Sequence, residues 1–453
     1  MNYIIKKQHM KDSGVLWIEE IPRHWNIETL SNLVQIILSN VDKKNNENEK
    51  KVLLCNYVNV YYNKFIDSRI DFMEASATNS EVEKFSLQIN DVLITKDSET
   101  PDDIAVPSLV VEKIPNVLCG YHLSILRPFI DKLDGRYLLF SILSTSIKSQ
   151  FSSLATGITR YGLSYKHIKS INICVPPLQE QKAIASFLDR KTTAIDTLIA
   201  KKQRLIQLLE EKRTALINQA VTKGLNSNVP MKNSGIAWIS KIPEHWEVSR
   251  LSFLSITIQT GPFGSQLHAS EYVENGIPLV NPINIQRGNI IADYQKTVNQ
   301  EVAIRLSRHK LLIGDLVFAR RGELGRCGVI NKNNNGWLCG TGCIQVRFSK
   351  IKVDPDYLNL FISIPWVASW LSLESVGSTM DNLNTEILST LPIILPPKEE
   401  QIKIFQYIEL KKYLFDKLIT TIDKQINKLQ EYRQSLITAA VTGKIDIREE
   451  VAT

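Results

Sequence analysis

The chain repeats itself. Residues 13–25, SGVLWIEEIPRHW, return at 234–246 as SGIAWISKIPEHW, displaced by 221 residues and identical at eight of thirteen positions. Chance would give about one match at ordinary residue usage. The correspondence continues. Asn56-Tyr57-Val58-Asn59-Val60 faces Asn281-Pro282-Ile283-Asn284-Ile285, Asp91-Val92-Leu93-Ile94 faces Asp315-Leu316-Val317-Phe318, and Leu118-Cys119-Gly120 faces Leu338-Cys339-Gly340. From there the displacement is 220 without a gap: Arg127 faces Arg347, Tyr137 faces Tyr357, Gly157 faces Gly377, and Glu180-Gln181 faces Glu400-Gln401. This period is far longer than the roughly 20–50 residues of a solenoid unit. Two copies of one module, fused head to tail, are expected. Between the matched blocks the copies diverge: SNVDKKNNENEKK at 39–51 has no likeness to QTGPFGSQLHASEYVEN at 259–275. One frame therefore carries two different surfaces.

Each module ends in a long helix. No Gly or Pro occurs in 179–223 or in 398–442. Each run follows a Pro-Pro pair, at 176–177 and 396–397, which fixes an extended lead-in. Each is followed by a glycine, Gly224 or Gly443, the residue suited to a left-handed C-cap. Glu180, Glu399 and Glu400 stand where the helix dipole favours carboxylates. Apolar residues alternate at spacings of three and four, the pattern of a coiled-coil seam. They are Ile184, Leu188, Ile195, Leu198, Leu205, Leu209 and Leu216 in the first run, and Ile404, Ile408, Phe415, Leu418, Ile422, Leu429 and Leu436 in the second. Lys191, Lys202, Lys411 and Gln425 interrupt the seam. A charged helix with one apolar stripe needs a partner. Its own copy is the expected one; packing on its own globular half is the alternative. About 43 residues at 1.5 Å each make a rod of roughly 64 Å. An antiparallel pair would place the globular parts at its opposite ends.

The globular parts mix short β-branched runs (51–60, 91–95, 314–319) with helical stretches (133–151, 354–371). Asp354-Pro355 is a good helix start. The expected fold is mixed α/β (α+β): two domains with β-rich portions joined by two long antiparallel coiled-coil helices in a pseudo-twofold arrangement. The expected boundaries are 1–175 and 227–395 for the domains, 176–226 for the central helix, and 396–453 for the C-terminal helix and tail.

Composition excludes several classes. At 43% apolar and 22% charged residues, the chain is not disordered, collagenous or a disulfide scaffold. No apolar run reaches the roughly 18 residues of a membrane span, and the first residues lack a signal-peptide stretch. A cytoplasmic protein with no membrane partner is expected. The net charge of +7 permits an anionic partner and does not identify one.

No catalytic signature is present. The sequence has no GxxxxGK[ST], no strand-linked GxGxxG, no GxSxG and no Asn/Asp-Pro-Pro-aromatic motif. Cys55, Cys119, Cys174, Cys327, Cys339 and Cys343 form no CxxC pair and read as structural thiols, not metal ligands. His24 and His245 are repeat-equivalent beside tryptophans and read as parts of an aromatic anchor.

Polar loops at matched positions suit nucleic acid. Gly261, Phe263, Ser265 and Gln266 belong to a Gly-rich turn with amides and hydroxyls available to phosphate. Arg320 and Arg321 follow a predicted strand, and Lys96 and Ser98 hold the equivalent place in the first module. Thr159, Arg160 and Tyr161 in one loop face Thr379 and Asn382 in the other. Arg and Asn are the side chains that read guanine and adenine edges bidentately. A solvated turn is the bland reading of each residue taken singly.

With these features assembled, the chain resembles the DNA-specificity subunits of type I restriction–modification systems. The resemblance rests on the two SGxxWIxxIPxHW blocks, the Gly157 and Gly377 loops, the Pro-Pro-x-x-Glu-Gln helix starts, and the closing runs RTALINQAVT (213–222) and RQSLITAAVT (433–442). It implies that each domain reads half of a split, asymmetric double-stranded DNA site. The helices would set the spacer and dock two modification subunits. Two restriction subunits would complete the complex. S-adenosylmethionine, ATP and Mg would be bound by those partners, with no cofactor, metal or catalytic residue in this chain. The first module lacks a TGPFGS-like loop, so the resemblance assigns no contact there. A scaffold that assembles a DNA-modifying complex without reading DNA is the alternative.

Overall fold

The computed structural model describes residues 9–286, 288–322, 324–349, 351–375 and 383–447. The chain divides into two compact units, 1–203 with 423–453, and 204–422. The division cuts both long helices, Leu178–Lys223 and Lys398–Val441. Each unit thus holds the start of one helix and the end of the other. No described helix is long and apolar enough to cross a membrane.

In unit 1 a five-stranded sheet runs in the order Val34–Leu38, Leu123–Pro128, Val92–Thr95, Pro107–Val110, Phe65–Ile66. Its pairings are antiparallel except the last. A second sheet sets Lys50–Cys55 between Val117–Cys119 and Met73–Ala77. Unit 2 repeats the frame with a four-stranded antiparallel sheet, Ser255–Thr260, Cys343–Phe348, Leu316–Ala319, Cys327–Val329. The stretch expected as one helix over 133–151 is two, Gly135–Leu143 and Thr145–Leu154, because the Ser144 hydroxyl caps the second at Ile147 N. The stretch 354–371 likewise breaks into Pro355–Ile362 and Pro365–Glu374, with Pro365 opening the second. Asp354 caps the first by accepting from Tyr357 N at 2.9 Å, as Asp134 does for Tyr137 N at 3.0 Å.

The run 51–60 also departs from expectation. The strand stops at Cys55, and Asn56 opens a short helix, Tyr57–Tyr62. Asn56 N donates to Asn59 Oδ1 at 2.8 Å, and Asn281 N donates to Asn284 Oδ1 at 2.9 Å in the other unit. The shared Asn-x-x-Asn is therefore a turn cap, which outweighs the β-propensity of the Val and Tyr between.

Within each unit the helix start and the helix end pack side by side and run antiparallel. In unit 1, Ile184, Leu188 and Ile195 share one buried cluster with Leu436, Ile437, Ala440 and Val441. In unit 2, Ile404 and Ile408 share another with Ala220 and Val221. Leu209, Leu216, Phe415 and Leu429 are half-buried, and Ile422 is buried. Leu198, Leu205 and Leu418 are exposed, contrary to the expected seam. Ile199 and Ile206 take the half-buried places instead. The buried and half-buried line keeps the seven-residue repeat, with Thr192, Ile199, Ile206 and Arg213 alternating with Ile195, Lys202, Leu209 and Leu216, so Leu198 and Leu205 fall one residue to its side.

Two buried glutamines join helix start to domain. Gln181 donates to Lys132 O and Pro176 O, both at 2.9 Å, and accepts from Asp134 N at 2.9 Å. Gln401 makes the same three bonds with Lys352 O, Pro396 O and Asp354 N. All six cysteines are free and buried. Burial pushes the Cys55 and Cys174 thiols up to about 12, so they stay protonated.

Candidate nucleic-acid interface

The loop that follows the central strand is hung identically in both units. Lys96 N donates to His122 O at 3.0 Å, and Lys96 O accepts from Leu163 N at 2.8 Å. In unit 2, Arg320 N donates to Gly342 O at 2.9 Å, and Arg320 O accepts from Leu383 N at 2.9 Å. The foot of each strand is also matched. Asp91 pairs with Arg127 through two bonds of 2.8 Å, and Asp315 pairs with Arg347 through bonds of 2.9 and 2.7 Å. By this framework Lys96-Asp97-Ser98 occupies the place of Arg320-Arg321-Gly322. The backbone is held in common and the chemistry on it is not.

In unit 1 this loop meets two others. Tyr161 and Gly162 pair with Ser98 and Asp97 as a short antiparallel ribbon. Beside it stands the Tyr57–Tyr62 helix, where Tyr57 and Tyr61 stack with centroids 5.4 Å apart and Tyr62 meets Tyr61 edge-on at 4.9 Å. These elements line an open pocket of about 500 Å³ that includes Ser98, Thr159 and Arg160. Arg160 and Thr159 are exposed, Tyr161 is half-buried, and Ser98 is buried. Lys96 turns inward: its Nζ donates to Ser39 O at 2.9 Å, and burial lowers its pKa from the ordinary lysine value. Tyr61 donates its hydroxyl to Asp103 at 2.7 Å, a bond that with burial raises the phenol to about 12. The tyrosine helix is absent from the sequence-derived candidates because Asn-Tyr-Val-Asn-Val reads as a strand; the i, i+4 spacing of Tyr57 and Tyr61 is the signal that marks it.

In unit 2 the Gly-rich turn lies against the arginine loop. Gly261 N donates to Cys343 O at 3.0 Å, and a Cβ there would sit 2.0 Å from Gly340 O. No side chain fits. Phe263 is half exposed and stacks under the Arg320 guanidinium at 5.4 Å. Arg320 is further held by Nε donating to Leu383 O at 3.2 Å. Burial, and then the neighbouring Arg321, lower its pKa from the ordinary arginine value, which leaves it charged. Arg321, Ser265 and Gln266 are exposed. The Gln266 side chain accepts from Phe263 N at 3.1 Å, and Arg305 donates to the Gln266 backbone carbonyl at 2.9 Å. Arg320 and Phe263 thus form a preset pair, with Arg321 as the outward cation. Thr379 and Asn382 lie outside the described residues.

Gly261→Ala is expected to disrupt this turn through the clash with the Gly340 carbonyl. It should cost at least about 1–3 kcal/mol of unit 2 stability, the range for overpacking a tight site. Chemical denaturation checks this, and an unchanged midpoint would show that the turn yields freely.

His24 and His245 have partners that the sequence did not place beside them. His24 Nε2 meets Glu180 Oε2 at 3.0 Å while Trp25 Nε1 donates to Glu180 Oε1 at 3.2 Å. His245 and Trp246 meet Glu400 at 2.9 and 3.1 Å. The two blocks are rivets on the helix starts. Among the described residues no group of three or more His, Cys, Asp or Glu side chains is gathered for a metal ion.

Comparison with known proteins agrees with this duplicated frame. The chain is 23% identical over 437 residues to a specificity subunit assigned to the type I restriction enzyme MjaX of Methanocaldococcus jannaschii, covering 95% of this chain and 96% of that one. It is 26% identical to the type I restriction enzyme MjaVIII specificity subunit of the same organism over 322 residues, 70% of this chain and 71% of the other. Among solved structures, a chain from work on complex assembly and conformational transition of the type I R-M system shares the fold with a TM-score of 0.67 at 15% identity, covering 94% of this chain and 99% of that one. The family described as the type I restriction modification DNA specificity domain matches twice, over residues 22–208 and 243–431. The chain therefore belongs to the type I restriction–modification DNA-specificity family, and carries two copies of its domain.

Proposed function

We propose that this chain is the DNA-reading specificity subunit of a type I restriction–modification complex and is not itself an enzyme. One observation carries the reading: a strand-end loop held by the same hydrogen bonds in both units presents Lys96-Asp97-Ser98 in one and Arg320-Arg321-Gly322 in the other. A frame kept constant under exchanged surface chemistry suits a subunit whose two halves read different sequences. Unit 1 would present Thr159, Arg160 and Tyr161, and unit 2 Phe263, Ser265, Gln266 and Arg321. The DNA site would be bipartite and asymmetric.

Double-stranded DNA is one partner. Two modification and two restriction subunits complete the assembly, and they bind S-adenosylmethionine, ATP and Mg. A net charge of +7 over 453 residues is modest for a protein that binds a polyanion alone. Phosphate neutralisation dominates affinity, so tight binding would draw on basic surfaces of the partners. The complex would act where the genome lies, in the cytoplasm.

The test is a map of methylated adenines made with the chain and its modification subunits. One bipartite, asymmetric motif is the expected result. The same methylation by the modification subunits without this chain would overturn the reading.

A further inference from the structure

In unit 1 the exposed arginine is not loose. Arg160 donates through one terminal nitrogen to Asp97 Oδ1 at 2.9 Å. The other carboxylate oxygen, Oδ2, lies 2.7 Å from His122 Nδ1. The His122 ring packs on Tyr121 with centroids 3.7 Å apart. Asp97 is about four-fifths buried, whereas 57% of the Arg160 side chain faces solvent. The backbone that carries it is also fixed. Thr156 and Gly162 exchange two bonds, of 3.2 and 2.9 Å, that close a tight hairpin, and Gly162 and Tyr161 pair with the Asp97-Ser98 strand. At Gly157 a Cβ would lie 1.9 Å from Arg160 O, so the hairpin accepts nothing larger.

We propose that Arg160 reads a guanine in the half-site bound by unit 1, and that Asp97 and His122 are positioning residues that aim it. The inference rests on the reading above, that unit 1 contacts DNA. Two arguments separate base from phosphate. First, the surroundings are acidic: Glu99 and Asp103 line the same pocket as Asp97 and Arg160, and the nearby Lys96 points inward. A phosphate approaching Arg160 would meet net repulsion. A guanine edge is neutral and offers two acceptors, O6 and N7, to a guanidinium fork. Second, a phosphate contact needs only charge, whereas bidentate reading needs a plane held at a set angle. Asp97 takes one of five N–H donors and leaves the others free to face the groove. In unit 2 the place of Asp97 is taken by Arg321, which cannot accept from a guanidinium, so the same carboxylate clamp cannot form from that position.

Arg160→Lys keeps the charge and removes the fork. Methylated-adenine maps of the complete complex, with wild-type chain, Arg160→Lys and Asp97→Asn, give the answer. Arg160→Lys is expected to relax one guanine position of one half-site by roughly 5- to 150-fold in preference, with the other half-site unchanged as an internal control for folding. Asp97→Asn should relax the same position by less. A uniform fall at all sites with the motif intact would make Arg160 a phosphate contact and overturn the proposal. An unchanged motif, or relaxation at different positions in the two variants, would overturn it too. Wild-type maps without sequence preference would sink the underlying reading and the inference with it.

Discussion

Replacing Trp25 by alanine is expected to cost about 3–5 kcal/mol, the range for emptying a large aromatic site in a core. Trp25 is 1% exposed and belongs to the largest apolar cluster of unit 1. Its ring does more than fill space. Nε1 is bonded to Glu180 at the start of one long helix, and the ring edge lies against Gly443 just beyond the end of the other. Gly443 has φ +70°, and a Cβ there would sit 2.4 Å from Pro22 and 3.1 Å from the Trp25 ring. One indole therefore fixes three segments that are distant in sequence. The loss should be local to the unit. Hydrogen exchange is expected to show lowered protection in 9–203 and 423–447, with 204–422 retaining most of its own. Trp246→Ala should give the mirror result, because Trp246 meets Glu400 and Gly224 in the same way. A cost below 1 kcal/mol, or equal loss in both units for either variant, would refute the rivet.

That rivet marks the boundary of what the sequence discloses. Both tryptophans, both glutamates and both glycines were visible as repeat pairs, and so were the helices that they join. A run of forty-odd residues without Gly or Pro has few other solutions. What stayed hidden is pairing across long separations. Nothing in His24-Trp25 points to Glu180, which lies 155 residues on. Nothing in the Thr159-Arg160-Tyr161 loop points to Asp97, 63 residues earlier. The pattern suggested loops with reading chemistry, and the fold decides which members face outward. Lys96 illustrates the difference. It matches Arg320 by position, yet a carbonyl of Ser39 draws it into the protein. The misread segments fail for local reasons. Asn56 and Asn59 cap a helix inside a β-like run, and Leu198 and Leu205 lie one residue off the line on which Ile199 and Ile206 are half-buried.

The second large effect is expected at Asp315. Its side chain is 3% exposed, and its two oxygens receive four groups: Arg347 at 2.9 and 2.7 Å, Gln345 Nε2 at 2.8 Å and Leu312 N at 2.8 Å. Asp315→Ala would leave Leu312 N without this acceptor and leave the Arg347 guanidinium only its bond to Lys310 O, at 3.0 Å. Removing one partner of a fully buried pair costs about 3–5 kcal/mol, chiefly because the other charge is left desolvated without compensation. With 31% of the Arg347 side chain at the surface and its bond to Lys310 O kept, the expected cost is about 1.5–3 kcal/mol, the range for hydrogen bonds to a charged group. The sign of the double variant separates that cause from a simple loss of attraction. If stranding dominates, Asp315→Ala with Arg347→Met should recover about half or more of the loss, because the apolar stem no longer demands a counter-charge. If the ion pair is itself the source of stability, the double variant stays as weak as the single one. Urea melts of the four proteins complete the cycle. Asp315 directly precedes the strand Leu316–Ala319, which leads into Arg320, so the same variant should loosen the arginine loop. The expected reading is a weakened preference in the half-site of unit 2, with that of unit 1 preserved. A full-strength motif in both half-sites, in a variant destabilised as described, would show that the loop is held from its other bonds, to Gly342 and Leu383, alone.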